Sequence, residues 1–272
     1  MDSIRQRVRV EDLTIAYGDH TAVSGASLAV ATGKVTVLAG PNGCGKSTLL
    51  RSIRRIHAAH SGRVLLDGMD IARLKERDLT RAIGLLAQTP SAPEDMTVEE
   101  LVRLGRYPHQ TMLQPWSRAD ADAVAEAMFG TGVGQLAARR LGTLSGGQLQ
   151  RVWIAMVLAQ ESDVICLDEP VNHLDMAHQI ECLDLVSRLN VERSRTVIVV
   201  LHDLNLAARY ADRLVFMKHG AIVAEGPPDV LMTEALISEV FGIRCKVIND
   251  PVHDRPICIP MRNSSPRFSA GQ

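Results

Sequence analysis

The segment GPNGCGKST, Gly40 to Thr48, stands between the apolar run VTVLAG and the amphipathic run KSTLLRSIRRIHA. It meets the pattern G-x-x-x-x-G-K-[ST] at every fixed position, in the strand-then-helix context that gives the pattern its meaning. Without a Cβ in the way, successive backbone N–H groups can wrap a phosphate. Gly40, Pro41, Asn42, Gly43, Cys44, Gly45, Lys46, Ser47 and Thr48 are therefore the expected cradle. Lys46 is expected to reach the β- and γ-oxygens and the Ser47 hydroxyl to ligate Mg2+. Cys44 holds a variable position, so its expected role is loop packing. A helix N-terminus beside it can also lower a thiol pKa and open it to alkylation.

Downstream, DVICLDEP (Asp163 to Pro170) runs from apolar residues into two acids. That pattern places carboxylates at the C-terminal edge of a buried strand, where open α/β sheets bind their ligands. Asp168 suits Mg2+ coordination through water, and Glu169 suits orienting or deprotonating an attacking water. Between the two motifs, LSGGQ (Leu144, Ser145, Gly146, Gly147 and Gln148) opens the apolar helical stretch QRVWIAMVLA. Adjacent glycines at a helix start form a second anion-seeking site. One helix end contributes only about 0.3–1 kcal/mol toward an anion, so this segment alone does not hold a nucleotide firmly.

The chain of 272 residues is 46% hydrophobic, enough for a substantial core and far from disordered composition. A formal net charge of −1 gives no global positive field for nucleic acid. The five cysteines, Cys44, Cys166, Cys182, Cys245 and Cys258, form no CxxC pair, which fits reduced thiols rather than disulfides or a zinc site. The opening MDSIRQRVRVEDL is charged throughout and lacks the apolar core of a secretory signal. No run reaches the roughly 18 apolar residues of a membrane span. The expectation is a chain that does not cross a bilayer by itself.

Short strands VRVEDLTIAY and SGASLAVATG precede the buried VTVLAG; RVLLDG, IGLLAQ, DVICLD and TVIVVL follow, and DRLVFMKHGAIVAEG reads as a hairpin turned at Gly220. Helices are expected at TVEELVRLGR, with Thr97 and Glu100 as a capping box, at Arg118 to Met128, after LSGGQ, and at MAHQIECLDLVSRLN and DLNLAARYA. Buried strands alternating with amphipathic helices predict a parallel sheet covered on both faces. Arg51, Arg54 and Arg55 read as a solvated helix face, and His57 and His60 as surface residues.

Taken together, the phosphate loop, LDEP and LSGGQ make residues 8 to 260 resemble the ATP-binding subunits of ABC transporters. The resemblance implies an α/β P-loop NTPase fold with a RecA-like, mostly parallel sheet core, an N-terminal antiparallel β subdomain and an α-helical insertion. It also implies one ABC ATPase domain over 1–260, with the helical subdomain at roughly 89–159 and a flexible tail over 261–272. ATP and Mg2+ are the implied cofactors. The signature Leu144–Gln148 of one copy is implied to close over ATP held by the other, in a homodimer with two composite sites. Tyr17 matches the aromatic that stacks on adenine, and Gln88 the glutamine that contacts Mg2+ and signals to the membrane partner. His202 matches the switch histidine, and Asp175 the aspartate that communicates across the dimer. Lys46, Gln88, Glu169 and His202 thus form the implied catalytic set.

GRYPHQ, SGGQLQRVWIAMVLAQ, NHLD, HDLNLAARYAD and DPVHDRPICIP resemble the branch that drives bacterial uptake of ferric siderophores, and more distantly of haem and vitamin B12. Val171 and Leu149 depart from the threonine and arginine common there. Implied partners are transmembrane permease subunits, contacted near Gln88 and through Arg106 to Trp116, and indirectly a periplasmic or lipoprotein binding protein, with no nucleic acid. The implied location is the cytoplasmic face of the cell membrane. An exporter ATPase and a soluble ABC ATPase acting on nucleic acid or ribosomes are the alternatives. The second usually needs two cassettes or a long coiled coil and a basic surface.

Overall fold

The computed structural model describes residues 6–111 and 116–261. The expected tail from 262 onward, and residues 112–115 of the Arg106–Trp116 segment, lie outside the described residues. In chain order the strands are β1 (Gln6–Tyr17), β2 (His20–Ala31), β3 (Val35–Ala39), β4 (Ser61–Leu66), β5 (Met69–Asp70), β6 (Ile83–Leu86), β7 (Val164–Asp168), β8 (Thr196–Val200), β9 (Arg213–Lys218), β10 (Ala221–Gly226), β11 (Cys245–Asn249) and β12 (Pro256–Pro260). The helices are α1 (Lys46–Ile53), α2 (Glu76–Ala82), α3 (Val98–Leu104), α4 (Arg118–Gly130), α5 (Gly146–Ala159), α6 (Met176–Arg193), α7 (Leu204–Tyr210), α8 (Pro228–Leu231) and α9 (Glu234–Phe241).

The central six-stranded sheet has the order β10-β9-β3-β8-β7-β6 and is parallel except for the β10 edge. Every residue of β3, β7 and β8 is buried, as strands covered on both faces require. Their side chains alternate between two cores. Val37, Ile165, Leu167, Val197 and Val199 face a cluster shared with α3, α4, α5 and α6. Leu38, Val164, Cys166, Ile198 and Val200 face a second cluster, shared with α1, α2 and the antiparallel sheet β2-β1-β4-β5. The two departures are apolar and seated: Val171 is buried in the first cluster and Leu149 packs against it. All five cysteines are free and buried.

Local chemistry sets the helix starts. Thr97 and Glu100 form the expected capping box on α3, and Ser117 with Asp120 forms another on α4. Helix α1 is shorter than its sequence pattern, because the chain turns after Ile53 and Arg55 takes φ 60°. The turn overturns the reading of Arg51, Arg54 and Arg55 as a solvated face. Arg54 bonds Thr80 and pairs with Glu76 at 2.8 Å, while Arg55 donates to the carbonyls of Ile71 and Leu74. Both tie α1 to α2, an element the periodicity did not reveal.

Arg106, expected at the partner surface, is instead buried at 4% exposure. Its guanidinium meets Asp120 at 2.8 Å, Glu161 at 2.6 Å and the Ala159 carbonyl at 2.7 Å. Arg77 and Arg81 of α2 both donate to the Pro108 carbonyl. The Gly105–Gln110 stretch is thus a brace joining α2, α4 and the end of α5, and Tyr107 is its outward residue at 78% exposure.

Candidate functional site

The nucleotide cleft is built where strands end. Strand β3 delivers the Gly40–Thr48 loop, and α1 starts from Gly45, whose φ of 101° and neighbours exclude a side chain. A Cβ there would fall on the Ala22 carbonyl, so glycine is required. The loop, with Tyr17, His20, Ala22, Gln88, Glu169, Asn172, His202 and Phe241, lines a cleft of about 990 Å³. Lys46 is buried, and its ammonium donates to the Gly40 and Pro41 carbonyls, both at 2.9 Å. Cys44 is buried at 4% exposure. Burial pushes its thiol above the ordinary value despite the nearby Lys46 charge, so the helix N-terminus does not make it a ready thiolate.

Behind the loop, the fully buried Asp168 accepts the Ser47 hydroxyl at 2.6 Å on Oδ1, and Arg51 at 2.9 Å on Oδ2. Glu169, the next residue, takes φ 54°, a left-handed conformation that costs energy outside glycine and that clusters at functional sites. Its carboxylate is held by three groups. His202 Nε2 lies 2.6 Å from Oε1, while the Gln88 and Asn172 side-chain amides donate to Oε2 at 2.6 and 3.0 Å. Three of these residues sit at or just beyond the C-terminal ends of adjacent parallel strands: Gln88 after β6, Glu169 after β7 and His202 after β8. At the outer rim, half-exposed Tyr17 meets the ring of His57 edge-on, centroids 5.4 Å apart.

The remaining expected residues lie elsewhere. Ser145 caps α5 in a capping box with Gln148, and none of Leu144–Gln148 lines the cleft. Asp175 caps α6, accepting the His178 backbone N–H at 2.9 Å. Sequence reasoning missed several neighbours. Asn172 carries a weak signal as an amide side chain three residues past Glu169, and Arg51 sits one helical turn after Ser47. Phe241 reaches the cleft from α9, which nothing in the loop motifs announces.

The oxygen-rich set Ser47, Gln88 and Asp168 matches the hard ligands that Mg2+ takes. The glycine loop, too tight at Gly45 for a Cβ, matches a phosphate cradle.

A family profile described as ABC transporter matches residues 23–172. The ferric enterobactin transport ATP-binding protein FepC of Escherichia coli (strain K12) is 47% identical over 260 residues, covering 96% of both chains. The probable siderophore transport system ATP-binding protein YusV of Bacillus subtilis (strain 168) is 48% identical, covering 93% of this chain and 92% of its own. Among solved structures, the dimeric structure of MJ0796, a bacterial ABC transporter cassette, superposes with a TM-score of 0.71 at 28% identity, over 81% of this chain and 98% of that one. A phosphate loop, an acid pair at the end of the neighbouring strand, and full-length relatives at nearly half identity lead to one assignment: the chain belongs to the ATP-binding subunits of ABC transporters.

Proposed function

We propose that this chain hydrolyses ATP to power import of a ferric-siderophore-type chelate through a partner permease. It works as a head-to-tail pair of copies on the cytoplasmic face of the membrane, with a binding protein delivering the chelate. Among the described residues no helix is long and apolar enough to cross a membrane, so a permease supplies the path. The chelate class follows from the relatives, which carry siderophore names at 47–48% identity over more than nine-tenths of the chain.

Glu169 carries the reading of the chemistry. A carboxylate has about four acceptor sites, and three are taken by His202, Gln88 and Asn172. The remaining one is free to accept a proton from a water attacking the γ-phosphate, and the three donors fix its direction. Lys46 and the loop amides hold the β- and γ-oxygens, and Tyr17 stacks on adenine. Ser47, Gln88 and Asp168 would hold Mg2+, which supplies charge neutralisation on the phosphate oxygens when bound. Leu144–Gln148 faces away from its own cleft and offers its helix start to the ATP of the second copy, while Asp175 carries the signal across. ATP binds the closed pair better than the open one, and that difference drives the stroke. The path to the permease runs through Gln88 and the brace around Tyr107.

The test is ferric-chelate uptake in a strain deleted for this chain. Uptake is lost, returns with the wild-type chain, and does not return with Glu169→Gln. Uptake undiminished by the deletion would sink the proposal.

A further inference from the structure

The second glycine of Leu144–Gln148 has a packing partner that phosphate binding does not call for. Gly147 is buried in the first turn of α5, and a Cβ added there would land on the imidazole of His178, 2.7 Å from Cγ and 2.9 Å from Nε2. The ring is not free to swing aside. Its Nδ1 lies 2.8 Å from Oδ1 of Asp175, and the same oxygen accepts the His178 backbone N–H at 2.9 Å. Facing a carboxylate, Nδ1 carries the proton and donates. The neighbouring Gly146 has Leu174 Cδ2 as its nearest outside atom, 3.8 Å from an added Cβ. One turn further along, Arg151 of α5 pairs with Glu181 of α6 at 2.7 Å. The start of α5 is therefore seated on the 174–178 turn, with His178 as the wedge between the Asp175 carboxylate and the helix amides.

We propose that His178 is a positioning residue for the composite nucleotide site. It locks the anion-seeking start of α5 to the turn that bears Asp175, so that both elements reach a second copy as one rigid unit. The inference rests on the two-copy reading above. The reason for a lock is geometric: an anion site made of backbone N–H groups works only when its donors are held within about 0.5 Å of their working positions. Ser145 and Gln148 cap the helix internally, but they do not fix where it points. The ring against Gly147 does. A side chain at position 147 would force the ring off Asp175, so Gly147 answers to His178 as well as to phosphate. The Asp175 carboxyl is held below the usual carboxylate range, first by the backbone N–H and then by the side chain of His178, so the acceptor stays charged at neutral pH.

The experiment uses full-length Glu169→Gln chains, in which hydrolysis is arrested, and measures MgATP-driven dimerisation by sedimentation and nucleotide binding by equilibrium dialysis. Adding His178→Ala weakens the dimer about tenfold while nucleotide binding to the monomer stays within twofold. His178→Asn, whose amide N–H can replace Nδ1–H toward Asp175, recovers most of the loss. The inference is overturned if His178→Ala dimerises as tightly as its parent, if monomer binding falls by the same factor, or if Asn does no better than Ala. A parent that fails to dimerise with MgATP overturns the two-copy reading and this inference with it. A parent that dimerises beside an indifferent His178→Ala overturns only this inference.

Discussion

Nε2 of His202 lies 2.6 Å from Oε1 of Glu169, across the ends of two adjacent parallel strands, β8 and β7. The contact joins two chain segments far apart in sequence and fixes one edge of a carboxylate whose other oxygen is held by Gln88 and Asn172. Glu169→Gln is therefore expected to keep MgATP binding while turnover falls at least ~100-fold, the low end for loss of a general base. Steady-state hydrolysis beside equilibrium nucleotide binding measures both. Near-normal turnover would remove Glu169 from the role.

Asn172 shares the same carboxylate oxygen with Gln88 but holds it at 3.0 Å rather than 2.6 Å. Losing one of three orienting donors costs less than losing the base. Asn172→Ala is expected to lower kcat by about tenfold, the equivalent of one hydrogen bond to a charged group, with KM for ATP little changed. A rise in KM with kcat untouched would assign Asn172 to nucleotide binding instead.

Leu144–Gln148 lies outside its own cleft, so chains damaged in different halves of a composite site complement one another. A Lys46→Ala chain mixed with a Ser145→Arg chain is expected to regain hydrolysis, because one of the two sites in the mixed dimer is intact. The signal peaks near equal proportions. Activity that stays at background at every ratio argues against sharing.

At the cleft rim, Tyr17 meets His57 edge-on. Stacking on a base contributes about 1–3 kcal/mol, so Tyr17→Ala raises the KM for ATP by roughly tenfold or more while kcat changes little. His57→Ala removes only the buttress, worth about 0.5–1.5 kcal/mol, and raises KM a few-fold. Burial, then the Arg51 charge, hold His57 below its ordinary pKa, so the ring is neutral at pH 7 and the KM effect does not vary above that pH.

Asp120 closes the buried brace on Arg106. Burial pushes its carboxyl up, but the Ser117 hydroxyl and the Arg106 guanidinium outweigh burial and hold it below the usual carboxylate range. A carboxyl depressed by folding adds stability above its unfolded value, about 3.9, and loses it as pH falls through the folded value. Asp120→Asn is expected to cost roughly 3 kcal/mol at pH 7, the low end for breaking a buried pair, since Glu161 still faces Arg106. In thermal melts the gap between wild type and variant closes below about pH 4. A gap that persists unchanged at pH 3 would place the effect in packing rather than charge.

The sheet and its ligand edge were legible because their signals are local. VTVLAG, DVICLD and TVIVVL are continuous apolar runs, and each ends in a polar residue that the parallel arrangement brings to the same edge. The capping boxes at Thr97 and Ser145 were equally readable from spacing of a few residues. What escaped was long-range. Arg54 and Arg106 look like solvated charges on amphipathic patterns, yet each is buried by partners supplied from other elements, Thr80 and Glu76 in one case, Asp120 and Glu161 in the other. No periodicity encodes such pairing. The same holds for His178, whose meaning comes from a glycine on a different helix, and for Phe241 in a C-terminal region of short, weakly patterned elements.

The burial of every native thiol has a practical use. Burial raises Cys166 and Cys182 to about 12 and lifts Cys44 and Cys258 as well, so little reactive thiolate is present at neutral pH. A single cysteine placed on the exposed rim, at Tyr107 or Phe129, would take a maleimide dye against a nearly silent background. Fluorescence from such a label could follow the two copies closing and parting during turnover, without first stripping the molecule of its own sulfur.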